Sequence, residues 1–417
     1  MAVTPQPSLR GVSAYTVPRH PAPISLDLSG NLGPRIDPSV LTFSADSLRA
    51  YPDARPLEAD LAARFGVAPP QVLVSAGADD AIDRICRAVL CPGRVAVVSE
   101  PGFVVTAMRA RLCGAEVRSV PWPSGDFPVD AAIAAGQGAS LVVVTSPNNP
   151  TGASVSAAAL RRLSAALPDA LLLVDLAYAE YDEVDLTEAA LALPGVVVTR
   201  TLSKAWGLAG LRVGYAIGSV EVIGWLRAAG LPYAVTQITI DTARRWLAEG
   251  EATVAAHVAA VRETRAAISE TLSSLGADVV PSAANFVFFR HPREAWLRDG
   301  LAGLGIGVRV FSGRPGVRVA CPSTRQDTAR LLDGLRTVLS PEVVRLGPGG
   351  ASLAGRIRTT GPGRAWQIVH TVGDIEAARA DGAVPIGIAP PGVAPEALLA
   401  AGAARVVPSL SALEELL

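Results

Sequence analysis

The sequence predicts an α/β protein: a large domain on a mostly parallel sheet, a smaller α+β domain after it, and a short α/β segment at the carboxyl end. Three observations lead there. Apolar, largely β-branched runs at Gln71–Val74, Val95–Val98, Leu141–Val144, Leu171–Val174 and Val196–Val198 alternate with helical text, the pattern of parallel strands covered on both faces. Beyond Gln237 the text changes to a long Ala/Arg/Glu-rich stretch followed by short strands. At 417 residues the chain also exceeds what one small core supports.

Taken in order, residues 1–45 read as an N-terminal arm, Pro-rich and irregular over the first thirty or so. The large domain spans 46–240. In it, helical spacing predicts helices over Leu57–Phe65, Ala81–Leu90 and Ser156–Ala166, interleaved with the strands above. The smaller domain spans 241–340, with extended helices in Ile238–Leu275. Strands follow at Ala277–Val280, Phe286–Phe289, Gly307–Val310 and Val317–Ala320, and a helix over Asp327–Val338 closes it. Gly347-Pro348-Gly349-Gly350 marks a linker over 341–358. Residues 359–417 form the last segment.

Composition narrows the function classes. Half the residues are hydrophobic, 18% are charged and the net charge is −1, a balance that points away from nucleic acid and anionic membranes. Four cysteines, far apart or within apolar helical text, read as buried free thiols rather than a disulfide framework. Four histidines without ligand spacing argue against zinc, so no metal is expected. No signal peptide is visible in Met1–His20 and no run reaches membrane-spanning length, so a cytoplasmic location is expected.

Chemistry concentrates in Thr201-Leu202-Ser203-Lys204-Ala205-Trp206-Gly207-Leu208-Ala209-Gly210-Leu211-Arg212. A lysine in an apolar pocket loses its proton more easily and can form a Schiff base with an aldehyde cofactor; taken alone, Lys204 reads first as a surface lysine after a strand, so a chemical role for it needs partners elsewhere. Asp175 ends the run Leu171–Val174, where a carboxylate is costly unless it meets a cation, or else it caps a helix. Ser146-Pro147-Asn148-Asn149-Pro150-Thr151-Gly152 is a turn able to aim one amide, Asn149. Gly77-Ala78-Asp79-Asp80 stands at a helix start, where free N–H groups suit a phosphate. Phe103 is either a stacking or a core aromatic.

In register over about Leu26–Leu339, Tyr51, Gly77, Phe103, Asn149, Asp175, Lys204, Arg212 and Arg318 resemble the pyridoxal-phosphate enzymes of the class I/II aminotransferase type. These have fold type I, and the histidinol-phosphate aminotransferases are most similar. The resemblance implies pyridoxal 5′-phosphate as cofactor, with Lys204 as its Schiff-base partner and proton carrier. Asp175 would pair with the pyridine nitrogen, and Asn149 and Tyr178 with the phenolic oxygen. Gly77, Ala78, Asp79, Ser203 and Arg212 would hold the phosphate, and Phe103 would stack on the ring. Tyr51 would reach the phosphate of a second subunit, implying a homodimer with shared sites. Arg318, Arg309 and Asn285 would bind the substrate's anionic end. The implied reaction moves an amino group from an amino acid or amino-alcohol phosphate to a 2-oxo acid, with ping-pong kinetics.

Two features depart from that pattern. Where histidinol-phosphate aminotransferases carry an Asn-Glu-Asn-Pro-Tyr-like segment, this chain reads Leu26-Asp27-Leu28-Ser29-Gly30-Asn31-Leu32-Gly33-Pro34, and Leu176 replaces a common acidic residue. The Asp-Leu-Ser-Gly-Asn wording is similar to threonine-phosphate decarboxylases, which keeps decarboxylation as an alternative beside an aminotransferase for aromatic or specialised-metabolite donors, with a non-catalytic cofactor-binding role behind both. The text Val372-Gly373-Asp374 to Ile388 resembles the carboxyl end of haloacid-dehalogenase-type phosphatases. The nucleophilic Asp-x-Asp of that family has no upstream counterpart here, so a degenerate half-domain used for packing or interaction is expected.

Overall fold

A computed structural model describes residues 4–10, 12, 14, 16, 19–311, 316–345, 363–389, 392–409 and 412. The chain divides into two compact units. One holds Leu32–Arg262 and Val280–Asn285 with the described residues up to 14; the other holds residues 16–31, Glu263–Val279 and the described residues from Phe286 onward.

A short strand, β1 (Leu26–Asp27), comes first and belongs to the second unit. The first unit is built on seven strands: β2 (Val72–Ser75), β3 (Val95–Glu100), β4 (Glu116–Pro121), β5 (Leu141–Thr145), β6 (Leu171–Asp175), β7 (Val196–Thr201) and β8 (Gly214–Gly218). Their order is β2-β8-β7-β6-β5-β3-β4. All pair in parallel except β8, which runs antiparallel to β2 and β7. Side chains alternate between two core layers. Val142, Val144, Leu172, Val174, Val196 and Val198 pack on one face, and Leu141, Val143, Leu171, Leu173 and Val197 on the other. That second face lies under the helix Ala78–Val89, through Ala81, Ile82 and Ile85. This parity fixes the site, because Asp175, Thr199 and Thr201 continue the second face at the carboxyl ends of β6 and β7.

The helix begins at Ala78, ahead of the predicted Ala81. Asp79 and Asp80 fill its first turn, where the helix dipole favours acidic residues. Strands β4 and β8 were not read from the sequence: β4 mixes charged and apolar residues at a sheet edge, and glycines bound β8.

In the second unit, β9 (Asp278–Val280), β10 (Phe286–Arg290), β12 (Arg309–Val310) and β13 (Val317–Ala320) form a sheet ordered β12-β13-β10-β9. The predicted strand Gly307–Val310 is interrupted at Val308. Its first part belongs to β11 (Ile306–Gly307), which pairs in parallel with β1, so the arm is not irregular throughout.

The carboxyl-terminal strands β14 (Val343–Arg345), β15 (Ala365–Val369), β16 (Val384–Gly387) and β17 (Arg405–Val406) form a parallel sheet in chain order. The span 341–358, read as a linker, thus contains β14; its remainder, 346–358, lies outside the described residues, as do the first residues of the 359–417 segment. Trp366 is fully buried, stacks edge-on against Trp296 at 4.8 Å and donates from Nε1 to the Thr337 carbonyl at 2.8 Å. Asp374 closes a capping box with Thr371 at the start of the helix Val372–Ala380. Among the described residues no cluster of three or more His, Cys, Asp or Glu can hold a metal, and no helix is long and apolar enough to cross a membrane.

Candidate active site

Lys204 follows β7 in a loop pinned from several sides. A Cβ on Gly33 would lie 1.7 Å from the Lys204 carbonyl oxygen, so the arm's backbone passes where only glycine fits. The Trp206 carbonyl accepts a hydrogen bond from Trp246 Nε1 at 2.9 Å. Lys204 Nζ stands 5.5 Å from the ring centroid of buried Tyr178. Behind Tyr178, buried Arg200 bonds Glu180 (2.9 Å), Asp185 (2.5 Å) and Thr187 (2.6 Å), which fixes the loop after β6.

Asp175 is 4% exposed and ends β6 without capping a helix, which removes that alternative. Its partners are a hydroxyl and an amide: Thr199 Oγ1 donates to Oδ1 at 3.0 Å, and the Ala177 N–H also bonds the carboxylate. Burial, the largest influence, pushes its proton affinity up to about 6; the Thr199 bond and Lys204 oppose this, and Asp79 adds to it. Such a carboxylate is short of a cation, and a protonated pyridine nitrogen has the required sign.

The other end of the site suits an anion. Gly77 adopts φ +81° as the cap of the helix Ala78–Val89, and its missing side chain leaves room for Arg212, since a Cβ there would lie 2.5 Å from Nη2. Gly77 N–H donates to Ser75 O (2.8 Å) and Ala76 N–H to Asp80 (3.0 Å). Among the described residues the N–H groups of Ala78 and Asp79 meet no acceptor and are the donors that a helix start leaves open. Arg212, at φ 52°, approaches Ser203 Oγ at 3.4 Å and Asp79 at 3.5 Å. Thr201 Oγ1 donates to Ser203 Oγ at 2.9 Å and accepts from its N–H at 3.1 Å. Asp79 brings a carboxylate to this anion pocket, and its side chain orients the arginine. Lys204, Tyr178, Asp175, Gly77, Asp79, Ser203 and Arg212 are therefore gathered in one unit, with donors and charges fitted to the ring and phosphate of pyridoxal phosphate.

Other expected residues fall as follows. Asn149 is half-buried, whereas its neighbour Asn148 is fully buried and donates to Pro101 O (3.0 Å) and Thr151 Oγ1 (2.9 Å), holding the turn. Phe103 precedes the helix Val104–Leu112, partly buried against the core layer of the Asp175 face. Tyr51 is 81% exposed and stacks on Tyr233 at 4.7 Å. Asn285 is buried and donates to Leu32 O at 3.2 Å. In the second unit, Arg309 and Arg318 are register partners across β12 and β13, and both lie within 6 Å of the Phe311 ring (5.6 and 5.8 Å). Arg318 Nη2 donates to Ser29 O at 2.6 Å, while Arg309 Nη1 is buried with no hydrogen-bond partner among the described residues.

Sequence reasoning missed Thr199, Thr201 and Gly33. The available signal was two threonines at alternate positions after Val196-Val197-Val198, where valine would serve the sheet as well.

Residues 40–335 match the family model described as aminotransferase class I and II. The histidinol-phosphate aminotransferase of Maricaulis maris is 33% identical over 316 residues, covering 72% of this chain and 87% of its relative. That of Roseiflexus castenholzii is 38% identical over 303 residues, covering 69% and 80%. A solved histidinol-phosphate aminotransferase from Sinorhizobium meliloti, in complex with pyridoxal-5′-phosphate, shares the fold with a TM-score of 0.68 at 24% identity, covering 80% of this chain and 97% of that one. These findings favour amino transfer over decarboxylation. The chain belongs to the class I and II aminotransferases, pyridoxal-phosphate-dependent enzymes that pass an amino group from an amino donor to a 2-oxo acid.

Proposed function

We propose that the amino donor is a phosphorylated amino alcohol of the histidinol-phosphate kind. The observation that carries this is the pair Arg309 and Arg318. The two arginines are register partners on one face of a ladder, and the buried Arg309 Nη1 meets no acceptor among the described residues, an arrangement suited to an anion. A phosphate offers several oxygens and nearly two charges to such a pair. The naming of the Maricaulis and Roseiflexus relatives agrees with this reading.

Pyridoxal phosphate, when bound, supplies an aldehyde carbon and a ring that withdraws electrons from the donor's α-carbon. Lys204 Nζ would hold that aldehyde carbon and, once free, would carry the proton that leaves the donor's α-carbon. Asp175 would hold positive charge on the ring nitrogen. Tyr178 and Asn149 would hydrogen-bond the phenolic oxygen, and Phe103 would lie against the ring. The Ala78 and Asp79 N–H groups, Ser203 and Arg212 anchor the phosphate, with Gly77 making room for the arginine. Asn285 and Arg318 orient the donor.

A homodimer is part of the same proposal. Phe43, Leu48, Tyr51, Leu231 and Tyr233 are large, exposed hydrophobic residues of the first unit, which an isolated subunit would leave in water. So is a cytoplasmic setting, which suits four free cysteines.

Steady-state kinetics with 2-oxoglutarate as acceptor, using histidinol phosphate and its dephosphorylated counterpart, test the donor. The phosphorylated donor is expected to have the higher kcat/KM, and Arg309→Met to raise its KM roughly tenfold to a hundredfold. Equal kcat/KM for the two donors would contradict the proposal.

A further inference from the structure

Thr199 is 0% exposed in a strand whose preceding residues are Val196, Val197 and Val198. Burying a hydroxyl is costly without a hydrogen bond, and valine fits a buried strand equally well. The hydroxyl has a single partner among the described residues, Asp175 Oδ1 at 3.0 Å. Register makes the contact specific: Thr199 lies directly opposite Asp175 in the β6–β7 ladder, and its carbonyl accepts from Leu176 N–H at 2.9 Å. The backbone on both sides of the carboxylate is thereby fixed. Two residues further along the same face, Thr201 holds Ser203 in the corresponding way at the phosphate end.

We propose that Thr199 is the positioning residue for Asp175, its hydroxyl keeping the buried carboxylate oriented and ionised for the cofactor's ring nitrogen. The proposal rests on the reading of Asp175 as the partner of that nitrogen. Donation to a carboxylate favours its charged form, against the burial that disfavours it. The groups acting on Asp175 are Asp79 from the helix Ala78–Val89, Lys204 from the loop after β7, and the Ala177 N–H from the loop after β6. Asp79 opposes ionisation, and Lys204 and the amide favour it. Thr199 therefore supplies the side-chain hydrogen bond in a set where the charges partly cancel.

The test compares wild type, Thr199→Val and Thr199→Ser as apoproteins, measuring thermal stability from pH 3.5 to 8. Each profile is taken as the difference from Asp175→Asn, which cancels the other carboxylates. In wild type the Asp175 contribution declines as pH rises from 3.8 to about 6 and is level above, because the folded state holds the proton more tightly than the unfolded one. Thr199→Val, close in volume but without a donor, is expected to extend the decline upward by roughly one pH unit. Thr199→Ser is expected to return it. In the Asp175→Asn background, Thr199→Val should leave the pH dependence unchanged. A Thr199→Val profile matching wild type overturns the proposal. A failure of the underlying reading looks different: Asp175→Asn would leave pyridoxal-phosphate affinity unchanged while the Thr199→Val shift persisted, and the positioning role would then fall with it.

Discussion

Among the described residues the Asp175 carboxylate is bonded by the Thr199 hydroxyl and the Ala177 amide and by no cation, at a cost to the apoprotein. Its proton affinity is raised from 3.8 to about 6 by burial, so between those pH values the folded state binds more protons than the unfolded state. Stability then falls as pH rises through that window, and the loss, on the order of 2–3 kcal/mol, is complete above it. Asp175→Asn is accordingly expected to raise the melting temperature of the apoprotein at pH 8, to leave it nearly unchanged at pH 3.5, and to abolish turnover. Calorimetry at the two pH values checks this, and a lower melting temperature at pH 8 contradicts it. At this scale, Lys204, Asp175, Gly77 and Arg212 could be singled out because the segments that hold them resemble those of class I/II aminotransferases, and the structure brings them into one unit. Thr199 was not, since its partner lies across a strand pair whose register no local text specifies. Nor was the burial of Arg309 Nη1, which depends on what surrounds it in the fold.

The elements that place these residues rely on a few close backbone approaches. Gly33 lets the arm run against the Lys204 loop. Gly207, at φ 70°, adds a second contact, since a Cβ there would lie 2.7 Å from the Pro34 carbonyl. Gly33→Ala puts a methyl group 1.7 Å from a backbone oxygen, a clash no rotamer relieves. The expected result is an arm released from the lysine loop, with faster proteolytic cleavage near residues 32–45 and at least roughly a tenfold loss of kcat/KM. Cleavage and turnover at wild-type levels would show that the arm does not hold the loop. Strands β5, β6 and β7 were legible because buried parallel strands are continuous apolar runs. Mixed polarity hid β4, terminal glycines hid β8, and the break at Val308 was masked by β-branched residues on either side.

On the scale of the whole chain, the sequence suggested a separate terminal module after a glycine-rich linker. Instead, β14–β17 and the helix Glu294–Gly303 belong to one unit. Trp366 packs on Trp296, Arg405 bonds buried Asp299 at 2.5 Å, and a Cβ on Gly303 would meet Ala404 at 2.7 Å. Those contacts join residues some seventy to a hundred positions apart and leave no local periodicity to read, whereas the glycines are conspicuous. Trp366→Ala is expected to cost about 3–5 kcal/mol and to lower the urea midpoint while pyridoxal-phosphate affinity per folded molecule is unchanged; an unaltered midpoint would mean the terminal sheet is not part of this core. The central claim concerns Lys204, and it is tested most directly by borohydride reduction of the pyridoxal-phosphate-loaded protein followed by peptide mass mapping. One pyridoxyl-phosphate adduct per chain, on Lys204 and lost in Lys204→Ala, is the predicted result. Lys204 is the one lysine of the sequence, so an adduct on the amino-terminal peptide, or none in a protein that still catalyses amino transfer, would contradict it.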